Sequence, residues 1–112
     1  MLASENISPS QAFNKLTVAQ VELNFLNRTV FFLEELVITT GLEFNLLALL
    51  MSNAGILVTR EHIAEEIFQR KLIDCSKSIN SHMTNLRKKL LVISSYRVIK
   101  TIKGQGYIFL TL

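Results

Sequence analysis

Few side chains in this sequence can make or break bonds. His62 and His82 are the only histidines, Cys75 is the only cysteine, and all three stand far apart in the chain. They match no metal-ligand spacing. No serine, threonine or cysteine has an evident base beside it, and no paired carboxylates line a glycine-rich pocket. The expectation is therefore no enzyme, no cofactor and no metal. The chemistry that does have regular spacing is hydrogen bonding. It lies in Ser76–Leu91, SKSINSHMTNLRKKLL. At helical pitch Ile79, Met83, Leu86 and Leu90 share one narrow stripe. Lys77, Ser81, Thr84 and Lys88 lie opposite, flanked by Asn80 and Asn85.

Such a helix buries one side and offers small donors and acceptors edged with cations on the other. That face suits the major groove of duplex DNA, where donor and acceptor patterns distinguish base pairs. A solvated surface helix is the plainer alternative. The charge distribution separates the two. Residues 1–74 carry five Lys or Arg and all nine acids, whereas residues 75–112 carry seven Lys or Arg and no acid. A cationic third of a chain favours a polyanionic partner, because neutralised phosphates release condensed counterions. Arg87, Lys88 and Lys89 could equally be a solvated helix end, where cations are favoured. Contact with phosphate by at least one of them is the expectation. His82 sits at the edge of the apolar stripe and reads equally as structural or as a nucleic-acid contact, and His62 reads as surface.

With 112 residues, about half of them apolar, the chain is long enough for one modest core. No apolar run approaches a membrane span; the longest lies within Leu46–Met51. The start, MLASENISPS, lacks the basic and apolar regions of a signal peptide. A lone cysteine suits a reducing compartment, so a cytoplasmic location is expected.

The elements that must position the Ser76–Leu91 helix follow from local patterns. Residues 1–15 are polar and read as a flexible tail or linker remnant, leaving 16–112 as the folded domain. Val21, Leu23 and Phe25 alternate with Glu22 and Asn24, as a half-buried strand does. Arg28–Leu33 and Leu36–Thr39 continue a small antiparallel meander, with turns expected near Asn27 and Glu34. The second turn lacks the glycine that tight hairpins favour. Thr40-Gly41-Leu42-Glu43 is a capping box. The helix after it is apolar around most of its circumference and so belongs at the centre. Gly55 is expected as its left-handed C-terminal cap, and Ile56–Val58 as an edge strand. Thr59 would cap a second helix, Arg60–Arg70, with Ile63, Ile67 and Phe68 inward and Glu61, Glu65 and Glu66 outward. Gln69–Cys75 would be a loop, with Cys75 small and semi-buried in it. After a connector at Val92–Tyr96, Arg97–Ile102 and Tyr107–Leu112 form a hairpin around Lys103-Gly104-Gln105-Gly106. Its glycines permit positive φ and close backbone approach.

Sheet, three helices and hairpin, in that order, make an α+β winged helix-turn-helix. From about Leu16 to Leu110 the chain resembles the effector domain of OmpR/PhoB-type response regulators. The runs that carry the likeness are Thr40–Leu47 (TGLEFNLL), Val58–Ile63 (VTREHI), Ser78–Leu90 (SINSHMTNLRKKL) and Ile99–Tyr107 (IKTIKGQGY). The resemblance implies an N-terminal antiparallel four-stranded sheet, a three-helix core and a C-terminal β-hairpin wing. It implies sequence-specific binding of double-stranded DNA in a two-component phosphorelay, the third helix in the major groove and the wing at the minor groove. Carried over by position, Asn80, Ser81, Asn85 and Arg87 would face base edges. Lys77, Ser78, His82 and Thr84 would face phosphates, with Lys88 beside them. Lys103 takes the wing position and Tyr107 a backbone-contacting one. The Gln69–Cys75 loop would be the segment that can meet RNA polymerase, and analogy implies tandem copies on direct repeats of DNA.

This sequence departs from the family pattern where Asn80 replaces the usual Asp, Ser81 an aliphatic, Phe68 a Trp and Lys103 an Arg. Lysine keeps the charge of the wing but loses the planar fork of arginine. The acidic cluster of a receiver domain is missing, so the chain reads as an excised or stand-alone effector. Two other readings stand beside DNA binding. One is a winged-helix protein-docking module. The other is an RNA binder, which would want aromatic stacking platforms beyond Tyr96, Tyr107 and Phe109.

Overall fold

The computed structural model describes residues 14–111. Strands β1 (Lys15–Val18), β2 (Val21–Asn24), β3 (Thr29–Phe32) and β4 (Glu35–Val37) form an antiparallel meander in that order. It has one strand and one turn more than residue alternation alone indicated, and matches the four strands that the family resemblance implied. The unforeseen turn is Ala19–Gln20, which joins Val18 to its partner Val21. The turn at Leu33–Glu34 joins Phe32 to Glu35 in the same way. All four turn residues have φ between 50° and 66°. Such two-residue hairpins normally use Asn or Gly, since positive φ suits the right-handed twist of the flanking strands. Ala19–Gln20 carries neither residue, so no turn chemistry in the sequence marks it. Glu34→Gly is accordingly expected to stabilise the domain by about 0.5–1 kcal/mol. Urea unfolding measures this, and an unchanged midpoint would show that the turn holds no strain.

Val21, Leu23, Val30, Phe32 and Val37 turn one sheet face onto helix α1 (Gly41–Ser52). The expected capping box starts α1: the Glu43 amide donates to Thr40 Oγ1 at 3.1 Å and the Thr40 amide to Glu43 Oε1 at 2.9 Å. Phe44, Leu46, Leu47, Leu50 and Met51 are buried, each contributing about 1.5–3 kcal/mol by leaving water. At the other end of α1 the cap is Asn53, whose side-chain amide donates to Leu49 O at 2.9 Å. Gly55 does have positive φ, +84°, but lies two residues beyond the cap. Its amide donates to Phe109 O at 2.8 Å, so it turns the chain onto the C-terminal sheet.

That sheet has the order β5-β7-β6, from β5 (Val58–Thr59), β6 (Ile99–Ile102) and β7 (Gly106–Phe109). Thr59 caps helix α2, accepting the His62 amide at 3.1 Å. α2 runs as α-helix through Arg60–Ile63 and then as π-helix through Ala64–Phe68. It stops at Gln69, which is left-handed with φ 54°, so it ends short of the expected Arg70. Ile63 is fully buried, and Ile67 and Phe68 pack partly against the core.

The largest correction concerns helix α3, which spans Leu72–Ile93. Leu72, Ile73, Asp74 and Cys75 are its first turn and not part of a loop, which shrinks to Gln69–Lys71. No side chain caps α3, and that missing signal hid its start. The apolar stripe nevertheless continues backwards at helical spacing. Cys75 is buried at 3% exposure and Leu72 is half-buried against the core, so packing takes the place of the cap. Val92 and Ile93 likewise close the helix instead of opening the connector.

Candidate nucleic-acid interface

α3 does present two opposite faces. Ile79, Met83, Leu86 and Leu90 are buried along one side. Lys77, Ser78, Asn80, Ser81, Thr84, Asn85 and Lys88 are all exposed. One carboxylate, Asp74, stands exposed in the first turn of the same helix. His82 is half-buried, its ring tilted against Phe68 with centroids 6.1 Å apart.

The wing turn follows from its glycines. Gly104 has φ +75°, and the Gln105 amide closes the turn by donating to Ile102 O at 2.9 Å. Lys103 stands exposed at the tip. Gly106 has a different role: a Cβ there would lie 2.0 Å from Val58 O, so only glycine lets β5 pair with β7.

Two arginines fasten this wing to the helices. Arg87 of α3 donates through Nη2 to Thr101 Oγ1 and, at 3.4 Å, to Ile99 O, both on β6. Its guanidinium lies 5.2 Å from the Tyr107 ring centroid. Burial holds the Arg87 guanidinium below its ordinary pKa; Tyr107 opposes that shift and Arg97 adds to it. Arg87 was expected among the base-facing residues, but its charged group is engaged inside the protein. The same holds for Tyr107, expected at the DNA backbone: it is 5% exposed and its hydroxyl accepts from Arg60 Nη1 at 3.2 Å.

Arg60 is the residue that sequence reasoning missed. Nη1 also donates to Asn80 Oδ1 at 2.8 Å, and Nη2 to Ser76 O at 3.1 Å. Its backbone amide donates to Gln105 O at 3.0 Å. Arg60 thus joins α2, α3 and the wing at one point. A signal was present: a cation in the first turn of a helix opposes the macrodipole, so it needs another reason to be there.

The three consecutive cations of α3 diverge. Lys88 points outward, Arg87 reaches the wing, and Lys89 reaches inward to Glu43, with Nζ 2.6 Å from Oε1. Glu43 is 2% exposed, the one buried charged residue among those described. Burial alone would raise its pKa. The Lys89 hydrogen bond, the Thr40 amide, the Lys89 charge and the His82 charge together outweigh burial and hold it below the ordinary value.

A helix with an exposed polar and cationic face, carried on a three-helix core and bolted to a hairpin, defines a winged helix of the transcription-regulator type. The chain belongs to the family described as transcriptional regulatory protein, C terminal, which matches residues 34–109. This is a family of regulators and not of enzymes. Among its relatives, the transcriptional regulatory protein CpxR of Escherichia coli is 37% identical over 73 residues, covering 64% of this chain and 32% of CpxR. A CpxR homolog of Haemophilus influenzae is 30% identical over 108 residues, 93% of this chain and 48% of that protein. The chain therefore spans between a third and a half of these relatives' length. Among solved structures, the DNA-binding domain of CpxR from E. coli superposes with a TM-score of 0.76 at 33% identity, covering 87% of this chain and 96% of that one. The Klebsiella pneumoniae RstA DNA-binding domain, solved in complex with the RstA box, gives 0.76 at 25% identity, with 86% and 96% covered.

Proposed function

We propose that this chain is the DNA-binding effector domain of a two-component transcriptional regulator, acting on duplex DNA in the cytoplasm. The observation that carries this reading is the exposed face of α3. Seven of the eleven residues expected at the interface stand on it, Lys77, Ser78, Asn80, Ser81, Thr84, Asn85 and Lys88. Asn80, Ser81 and Asn85 supply donors and acceptors for base edges, and Ser78 and Thr84 supply hydroxyl donors for phosphates. Lys77 and Lys88 supply charge for phosphates, and Lys103 does so from the wing. Arg87 and Tyr107 serve the interface by holding the wing, and His82 by packing against Phe68. Tandem copies on direct repeats, and a receiver domain elsewhere in the protein, complete the proposal. For RNA polymerase the surface on offer is Gln69–Lys71 with Ile73, 85% exposed, on the first turn of α3. No helix among the described residues is long and apolar enough to cross a membrane.

Selection of bound duplexes from a random pool tests the proposal. Enrichment of one sequence, with affinity falling steeply as salt rises, is the expected result; no enrichment would refute it. Two variants refine the map. Asn85→Ala is expected to lose about 1–3 kcal/mol of discrimination at a single base pair. Equal weakening on all duplexes would remove Asn85 from base reading. Lys103→Ala should weaken binding on every sequence and flatten the salt slope by about one unit. An unchanged slope would place Lys103 away from phosphate.

A further inference from the structure

We propose that Arg60 is a positioning residue that sets the hydrogen-bonding polarity of Asn80, so that Asn80 offers DNA its amide NH2 and not its oxygen. This rests on the DNA-binding reading above. A guanidinium has donors only. The Asn80 atom 2.8 Å from Arg60 Nη1 is therefore the oxygen, whichever way the amide is drawn. Arg60 itself cannot swing, because Ser76 O and the Tyr107 hydroxyl hold it at the same time. Among the described residues no carboxylate forms an ion pair with Arg60; the ion pairs are Lys15–Glu22 and Lys89–Glu43. The charge-assisted bond to Asn80 Oδ1 thus has no anionic competitor. Asn80 is exposed, so with its oxygen drawn back toward α2 its two N–H donors face outward.

The consequence is a specific base preference. A free asparagine reads adenine with both edge atoms, accepting from N6 and donating to N7. With Oδ1 turned to Arg60 that paired edge no longer faces the groove. The remaining donors select a base edge that presents acceptors, O6 and N7 of guanine or O4 of thymine. Adenine presents only N7 beside its amino group and cytosine only its amino group, and with Oδ1 drawn back from the groove those amino groups lose the acceptor they would pair with, so both bases are disfavoured.

Duplex selection with the wild-type chain, Asn80→Asp and Arg60→Met tests this. Asn80→Asp keeps an acceptor for Arg60 but has no NH2, and its exposed site tolerates the change. At one position of the selected site the wild type should prefer guanine or thymine about tenfold. Asn80→Asp should abolish that preference at that position alone, which identifies the base pair Asn80 reads. Arg60→Met frees Oδ1 and should move the same position toward adenine. A purely structural role for Arg60 would lower affinity on every duplex without changing base identity at any position, and that result overturns the proposal. So does adenine at that position in the wild type, or an Asn80→Asp site identical to the wild-type one. If the wild type enriches no sequence, the DNA-binding reading fails and this inference with it. An enriched site that neither variant alters overturns this inference alone.

Discussion

Gly106→Ala is expected to be the most damaging small substitution in the C-terminal sheet. The added methyl would sit 2.0 Å from Val58 O and 2.9 Å from Thr59 Cα. Both are backbone atoms of β5, which no rotamer change can move. Relief requires β5 and β7 to separate, breaking the Val58–Tyr107 and Thr59–Gly106 pairings. Overpacking of this kind costs about 3 kcal/mol, a large part of the stability of a small domain. Tyr107 would shift with β7, loosening the ring that Arg87 lies against and the hydroxyl that accepts from Arg60. The variant should therefore unfold at lower urea and, where still folded, show a displaced wing and weaker duplex binding. Gly104→Ala is its control. It has positive φ but nothing within 4 Å of a Cβ, so only backbone strain of about 1–2 kcal/mol is expected. Equal effects of the two would show that β5 is not in close contact with Gly106.

Lys89→Met should have the second largest effect, and one that depends on pH. It leaves the Glu43 carboxylate buried at 2% exposure with only the Thr40 amide as partner. Breaking a fully buried pair costs about 3–5 kcal/mol. The Lys89 side chain is 36% exposed, so water shares the screening and a loss of about 2 kcal/mol at neutral pH is expected. The folded-state pKa of Glu43 lies below its ordinary value. A depressed carboxylate pKa contributes stability above the unfolded-state pKa and loses it as pH falls through the folded value. The wild-type chain should accordingly lose this contribution below about pH 4.5, the ordinary value for this carboxyl. Lys89→Met removes the lysine's hydrogen bond and charge and leaves burial, the largest influence, opposed only by the Thr40 amide and the His82 charge, so the gap between the two proteins should narrow as the pH falls toward 4. Urea unfolding from pH 4 to 8 measures this. A gap independent of pH would mean that the lost packing of the lysine stem, and not charge, sets the cost.

The residue pattern was sufficient wherever a local rule and the tertiary fold agree. The capping box at Thr40–Glu43, the Thr59 cap, the all-apolar α1, the α3 stripe and the two glycines of the wing could be read directly. So could the outward positions of Lys77, Asn80, Ser81, Thr84, Asn85 and Lys88, because helical pitch places Lys77, Ser81, Thr84 and Lys88 opposite the Ile79–Met83 stripe and the two asparagines on its flanks. Local rules failed where packing replaced the usual signal. The Ala19–Gln20 turn has no glycine or asparagine, the start of α3 at Leu72 has no cap, and the end of α2 is a π-turn closed by a left-handed glutamine.

By itself, then, the sequence determined which side of α3 is polar and that its charge is cationic, since both depend only on residue type and on a period of 3.6. The tertiary structure alone decided what each long side chain does. Arg87, Lys88 and Lys89 are adjacent and chemically alike, yet one holds the wing, one faces solvent and one neutralises a buried carboxylate. Helical pitch gives them different directions, but what waits in each direction comes from Thr101, Tyr107 and Glu43, on other elements. The same is true of Arg60 and Asn80, 20 residues apart and joined only when α2 packs across α3.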